Sequence, residues 1–236
     1  RPHRAARRRR GRTVRPRGLG FLAAIGARFV GDALRGRASL GIAGSSFALA
    51  VLRSLRPHYF ALPAGACLAG AAAIPDAALG WPVAVAAAAA GLGWGVGQLL
   101  NDLMDTTADA VDAPRRPAVR GLLPPGPTVT VATILGLGVA VMTVLVHPQA
   151  WWLALAAAGL LLAYGDAKRL PLAGNLAHAA LIATAAAIGA AAAAPTASLQ
   201  AVLGSAWPAC ALSGTWAAIY LQSNYEKDRE GDAHAG

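Results

Sequence analysis

The sequence predicts an all-α protein, a bundle of about six transmembrane helices, and three observations lead to this fold class. Of the 236 residues, 56% are hydrophobic and only 14% are charged, whereas an average soluble domain carries about 25% charged residues. The mean hydropathy is +0.48. Uncharged stretches close to the roughly 20 residues that span a bilayer recur to the end of the chain, so a cleaved secretory signal does not account for them.

The six predicted spans are rich in Ala and Gly, a composition that favours close helix packing in membranes. A GC-rich genome, which favours Ala and Gly codons, explains this composition equally well. Cys67 and Cys210 fall inside apolar segments without a nearby Cys or His, and we interpret both as small buried hydrophobic residues. The spans run approximately from His58 to Ile74, Trp81 to Leu100, Val129 to Val146, Trp151 to Tyr164, Leu176 to Ala194 and Val202 to Leu221.

Two segments precede the first span. Residues 1–19 are predicted to be a disordered basic tail, because nine arginines lie between Arg1 and Arg17. Such a tail is attracted to anionic lipids, so the formal net charge of +10 does not make nucleic acid an expected partner. Residues 20–56 are predicted to be an interfacial or re-entrant segment, since charged residues interrupt an apolar helical pattern. For Gly41 to Leu52 a seventh span stays equally open.

The positive residues predict the orientation of the bundle. Short loops rich in Lys and Arg remain in the cytoplasm, and the connections near Asp76, near His147 and from Pro195 to Gln200 contain neither residue. We therefore expect a multi-pass protein of the cell (inner) membrane with both termini cytoplasmic. Every Lys or Arg after Arg56 lies in one of three connections, namely Arg115, Arg116 and Arg120; Lys168 and Arg169; Lys227 and Arg229.

The same three connections hold nine of the eleven acidic residues. Clustered carboxylates repel one another and require cations, and ligand sets made only of oxygen favour Mg²⁺. An alternative is a solvated loop whose acids pair with Arg115, Arg116, Lys227 and Arg229. If the second span continues as a helix, one face of about 100° carries Asn101, Asp102, Asp105, Asp109 and Asp112. The spacing Asn-x-x-x-Asp-x-x-x-Asp recurs at Asn224, Asp228 and Asp232.

These motifs resemble those of the UbiA superfamily of intramembrane prenyltransferases, and the resemblance runs from about Arg53 to Gly236. Asn101 to Gly121 is similar to the family's first motif, N-D-x-x-D-x-x-x-D followed by P-x-R-P-x-x-x-G. Asp228 to Asp232 matches the D-x-E-G-D core of the second motif. Tyr164 to Asn175 resembles a further family segment, Y-x-x-x-K-R-x-P-x-x-G-N.

The resemblance implies a Mg²⁺-dependent prenyltransferase domain over residues 57–236. Such an enzyme moves an isoprenoid chain from a prenyl diphosphate to a lipophilic or aromatic acceptor, among membrane lipids, with two Mg²⁺ ions bridging the diphosphate. It implies diphosphate contacts from Arg116, Lys168, Arg169 and Asn175. It also implies one Mg²⁺ at Asn101, Asp105 and Asp109, supported by Asp102, and the other at Asn224, Asp228 and Asp232, so that the catalytic carboxylates are Asp102, Asp105, Asp109, Asp228 and Asp232.

Some features depart from the family pattern. Many members have Ser where this chain has Arg120, and the acceptor is left open. The family usually has about nine spans and this chain stops after the second motif, so we expect a truncated, C-terminally incomplete bundle. Two other functions remain as alternatives: a terpene cyclase of the same superfamily, and a non-catalytic membrane scaffold or transporter subunit.

Overall fold

The computed structural model describes residues 44–77, 79–168, 170 and 172–235, together with the single residues 20 and 27. For residues 44, 45, 112 and 223–235 it describes the backbone alone. The predicted basic tail and most of the segment before residue 44 lie outside the described residues. Throughout the described ranges the regular structure is helical, without a strand.

The described chain forms a succession of helices joined by short connections. The turns Pro57–Tyr59 and Pro148–Ala150 are 3₁₀ helices. The α-helices are α1 (Gly44–Leu55), α2 (Ala61–Ala72), α3 (Trp81–Met104), α4 (Thr106–Asp112), α5 (Pro125–Val146), α6 (Trp151–Ala167), α7 (Ala173–Ala193) and α8 (Leu199–Ala235).

Within the described ranges, four helical segments are long and apolar enough to cross a membrane: Trp81–Met104, Pro125–Val146, Pro148–Ala167 and Ala173–Ala193. They correspond to the second to fifth predicted spans, and the fold class of a multi-span helical bundle is confirmed. The first predicted span coincides with the shorter apolar helix α2 and the sixth lies within α8, and neither is among the four.

Helices α1 and α8 both differ in length from a single membrane span. With 12 residues, α1 is about 18 Å long, which is short of the roughly 30 Å hydrocarbon core. Helix α8 continues past Leu221 to Ala235. Its continuation has a physical basis, because residues 222–230 contain neither proline nor glycine and include the good helix formers Gln, Glu, Lys and Arg.

Helix α7 forms the centre of the bundle and contacts α2, α3, α5, α6 and α8. In its apolar stretch 61% of the residues are buried, against 17% in α5 and 11% in α6. The large side chains of Ile134, Leu137 and Leu145 on α5 are exposed. An outward apolar surface on a helix of spanning length suits contact with lipid.

The backbones of α2 and α7 approach each other closely. A Cβ atom on Gly70 would overlap the carbonyl oxygen of Ala186, and a Cβ on Gly189 would overlap that of Cys67. The two backbones therefore touch at a pair of glycines, as small residues allow in membrane bundles. Cys67 is buried at this contact and Cys210 is half-buried, both as free thiols.

The two ends of the bundle have different chemistry. At one end, the His147 imidazole Nε2 lies 3.0 Å from the carbonyl oxygen of Ala197, so the connection between α5 and α6 meets the one between α7 and α8. At the other end, Lys168 Nζ donates to Asn101 Oδ1 at 2.7 Å. Asn175 Nδ2 donates to Gln222 Oε1 at 2.8 Å. This second end carries the acidic and basic connections.

We expect Gly189→Ala to destabilise the bundle, because the new methyl group can fit only if two backbones separate. Overpacking of this kind typically costs about 1–3 kcal/mol. Thermal unfolding of the detergent-solubilised protein measures the effect. The matched control is Gly136→Ala on α5, where a Cβ meets nothing within 4 Å. Equal unfolding midpoints for the two variants would contradict the close approach of α2 and α7.

Single cysteines in a Cys67→Ala, Cys210→Ala background test the orientation. From outside the cell, an impermeant maleimide should label Pro148→Cys and Ala197→Cys and miss Asp112→Cys and Glu230→Cys, because positively charged connections stay inside. Labelling of Asp112→Cys from outside would contradict the predicted orientation. Labelling in permeabilised cells serves as the control for reactivity.

Candidate functional site

The acidic row, which consists of Asn101, Asp105 and Asp109, begins in the last turn of α3 and continues into α4. The shared face was expected on the condition that the second span continues as a helix. The helix continues only to Met104, and α4 begins at Thr106, with Asp105 between them at φ −94° and ψ 5°. The backbone bonds nevertheless continue: Asp105 N donates to Asn101 O and Asp109 N donates to Asp105 O, both at 2.9 Å. The four-residue spacing of Asn101, Asp105 and Asp109 is therefore preserved along one row.

Lys168 closes one side of this row. Directly after α6, its ammonium group donates to Asn101 Oδ1 at 2.7 Å and pairs with Asp105 Oδ2. The lysine is separated from Asn101 by 67 residues in sequence, and the packing of α6 beside α3 brings the two together. One cation thus bridges the first two members of the row.

Arg116 closes the other side from the connection after α4. Its Nη1 donates to Asp109 Oδ1 at 2.5 Å and lies 3.8 Å from Asp102 Oδ1. Burial lowers the pKa of this guanidinium, but the hydrogen bond to Asp109 and the charges of Asp109, Asp102 and Asp105 outweigh burial and raise the pKa above its ordinary value. Arg116 therefore stays charged at every physiological pH.

Asp102 points to a different partner, which the sequence did not reveal. Its carboxylate, 1% exposed, accepts a hydrogen bond of 2.7 Å from Arg56 Nη2, and Arg56 Nη1 donates to Gln98 Oε1 at 2.8 Å. Arg56 has a left-handed backbone (φ 51°, ψ 60°) between α1 and the turn before α2. In the sequence, Arg56 is recognisable as a basic residue just before the first predicted span. That position does not show which acidic residue it pairs with.

Asp109 retains an unsatisfied acceptor. The residue is 6% exposed, and its Oδ2 has no hydrogen-bond partner among the described residues. Buried polar atoms are normally satisfied, and carboxylate oxygens are the donors that Mg²⁺ prefers. Within the described part of the chain no three His, Cys, Asp or Glu side chains are grouped closely enough to hold a metal. The oxygen donors of Asn101, Asp105 and Asp109 fit Mg²⁺ in chemistry.

The second motif lies on the C-terminal part of α8. Asn224, Asp228 and Asp232 fall on helical backbone with the same four-residue spacing as the first row. Their side chains, and Arg169, lie outside the described part of the structure. Gln222, which precedes the motif by two residues, accepts the hydrogen bond from Asn175, so the motif begins at the end of the bundle where α7 begins.

A small aromatic cavity lies inside the bundle next to Asn101. It has a volume of about 20 Å³, enough for about one water molecule. Trp94, Tyr164 and His178 contribute to its wall, and the rings of Trp94 and His178 meet edge to face at 5.1 Å. His178 is buried and its Nε2 has no hydrogen-bond partner in the described ranges. The cavity leads from the acidic row towards the middle of the membrane helices.

Fold and site together define a multi-pass helical membrane protein with paired acidic and basic groups at one end of its bundle. The sequence model of the UbiA prenyltransferase family matches residues 59–236, about three quarters of the chain, and the chain belongs to this family.

A solved structure supports the same fold. The chain is similar, at a TM-score of 0.63 and 16% sequence identity, to a structure from work on a digeranylgeranylglyceryl phosphate synthase in membranes. The match covers 78% of this chain and 66% of that chain, just under two thirds of its length. Among curated proteins, none is significantly similar in sequence.

We expect Arg56→Gln to lower stability by on the order of 3 kcal/mol, because it leaves the buried Asp102 carboxylate without its closest cation. Adding Asp102→Asn should restore at least half of the loss, since the uncompensated charge is then gone. Thermal unfolding of both variants measures this coupling. The control is Arg53→Gln, one turn earlier and exposed, which should change little when the protein is unfolded in detergent without added lipid. Independent, additive effects of the two substitutions would contradict the buried pair.

Proposed function

We propose that this chain carries the diphosphate site of a membrane prenyltransferase. The enzyme would move an isoprenoid chain from a prenyl diphosphate to a lipophilic or aromatic acceptor, with the site on the cytoplasmic side of the cell membrane. One observation carries the proposal: the row Asn101, Asp105 and Asp109 is flanked by Arg116 and Lys168 at one end of a membrane bundle. Membership of the UbiA prenyltransferase family supports it.

The charges of the cluster explain why the substrate would need metal ions. Within the described residues three carboxylates (Asp102, Asp105 and Asp109) are paired with three cations (Arg56, Arg116 and Lys168). A diphosphate brings several further negative charges to this neutral set. Divalent cations that enter with the substrate compensate them, because oxygen ligands and phosphate oxygens together complete a Mg²⁺ shell.

Two rows of oxygen donors would hold the ions. Asn101, Asp105 and Asp109 would bind one Mg²⁺, and the unsatisfied Oδ2 of Asp109 offers it a ready acceptor. When bound, Mg²⁺ neutralises the charge that develops on the departing diphosphate. The second ion would be held by Asn224, Asp228 and Asp232.

The basic residues would bind and orient the leaving group. Arg116 would hold phosphate oxygens with its planar fork, and Lys168 would exchange part of its contact with Asp105 for the diphosphate, assisted by Arg169 and Asn175. The allylic C–O bond breaks and its electron pair leaves with the diphosphate. The acceptor then attacks the carbocation and loses a proton. Positive charges fixed beside the leaving oxygen favour this ionisation.

The aromatic cavity would receive the part of the isoprenoid chain next to the diphosphate. Trp94 and Tyr164 lie next to Asn101 in its wall, and the face of an aromatic ring stabilises a nearby cation. Leu161 and Leu181 complete an apolar wall that excludes water, which would otherwise capture the carbocation. At about 20 Å³ the cavity must widen between α3, α6 and α7 to admit a prenyl chain.

An activity screen of the full-length protein in membranes tests the function. Labelled geranyl, farnesyl and geranylgeranyl diphosphates are supplied with Mg²⁺, with and without a lipid extract as the source of acceptor. Labelled product that depends on the extract supports prenyl transfer. A cyclic hydrocarbon or alcohol formed without an acceptor would identify a terpene cyclase, and no turnover with any diphosphate would favour a non-catalytic role.

We expect Asp105→Asn and Asp228→Asn each to reduce Mg²⁺-dependent turnover roughly 100-fold or more, on the scale of a lost electrostatic contact to the transition state. Each substitution removes a charged metal ligand and leaves phosphate charge uncompensated. Turnover of labelled prenyl diphosphate measures the loss. Asp76→Asn, in the connection before α3 and thus at the opposite end of that helix, serves as the control. Full activity of Asp228→Asn would rule out the second metal site.

A further inference from the structure

A second cavity lies outside the acidic row. It has a volume of about 250 Å³ and is bounded by α1 on one side and by the connection between α4 and α5 on the other. Three arginines line it, Arg53 from α1 and Arg115 and Arg120 from the connection. Leu49 and Leu122 form part of its apolar wall.

Among the described residues, nothing neutralises the positive charge in this cavity. Within the described ranges Arg53, Arg115 and Arg120 make no ion pair, and no acidic residue lines the cavity. The neighbouring Arg116 turns the other way, to Asp109. Three arginines around one cavity suit a phosphate group in charge, and arginine binds phosphate oxygens through paired N–H donors.

The apolar part of the same region indicates an amphiphilic ligand. Helix α1 buries Phe47, Val51 and Leu55 in the core that it shares with α3. Its other side leaves Leu49 and Leu52 exposed, with 47% and 54% of their surface accessible. These leucines flank Arg53 on a helix too short to span the membrane. A short helix with apolar and cationic surfaces side by side is typical of the lipid headgroup region.

We propose that this cavity binds the phosphate headgroup of an anionic phospholipid, whose acyl chains lie along Leu49 and Leu52. The residues of this site are not the ones that pair with the acidic row, so the proposal stands apart from prenyl transfer. Arg115 and Arg120 belong to the connection that also carries Arg116. A bound lipid would therefore steady the segment that presents Arg116 to Asp109.

Native mass spectrometry of the full-length protein in detergent tests the proposal. Phosphatidylglycerol and phosphatidylcholine are offered at equal concentration, and inorganic phosphate is added to a second lipid-containing sample as a competitor. We expect retained phosphatidylglycerol and little phosphatidylcholine, because each arginine near an anionic headgroup contributes about fivefold in affinity. Arg53→Gln, Arg115→Gln and Arg120→Gln combined should weaken retention roughly 100-fold on the same basis.

A charge-matched control separates a site from general attraction. Arg7→Gln, Arg8→Gln and Arg9→Gln remove the same formal charge from the basic tail, whose attraction to anionic lipids is diffuse, and should lower retention much less than the cavity variant does. An equal loss in this control would overturn the site, as would full retention in the cavity variant. Retention of inorganic phosphate that displaces the lipid would overturn the choice of a phospholipid.

A single substitution keeps the test decisive if the triple variant does not fold. Arg120→Ser places a small polar side chain at this position and removes one of the three guanidinium groups. We expect phosphatidylglycerol retention to fall about fivefold while the thermal unfolding midpoint without lipid stays the same. Unchanged retention in this variant would overturn the proposal.

Discussion

The charged end of the bundle depends on the need to neutralise Asp102. A carboxylate that is 1% exposed near the end of a membrane helix is stable only beside a cation, and Arg56 supplies that cation from the turn between α1 and α2. The contact fixes α1 against α3. Arg116, 3.8 Å from the same carboxylate, extends the constraint to the connection after α4. One buried charge thus joins three segments of the chain.

The acidic row and its cations form a balanced set that can change partners. Lys168 and Arg116 hold the carboxylates at rest, and both residues are long enough to turn towards an incoming anion. Within the described residues, Oδ2 of Asp109 is an acceptor of this set that has no hydrogen-bond partner. The alternative interpretation, a loop in which acidic residues pair with basic ones, predicted an ion pair of Arg116, and that pair is present. It is compatible with the binding of a phosphate group, because the same cations suit carboxylate and phosphate.

Packing of the bundle uses small residues where helices meet and large ones where lipid begins. Gly70 and Gly189 allow the backbones of α2 and α7 to touch, and Ala186, Ala190 and Ala191 are fully buried beside them. Van der Waals contact rather than apolar transfer drives such packing in a bilayer. The core formed by α2, α7 and α8 leaves the charged connections at one end of the bundle, where polar groups can reach water.

The sequence by itself determined the membrane fold, the four central spans, and the four-residue spacing of Asn101, Asp105 and Asp109, because these depend on local composition and helical periodicity. The break of the helix at Asp105 escaped prediction, since its continuing backbone bonds leave the periodicity intact. Only the tertiary structure decided that Asp102 pairs with Arg56 and that Arg53 shares a cavity with Arg115. Such pairs lie tens of residues apart, and no local pattern encodes which distant side chain a folded helix brings within reach.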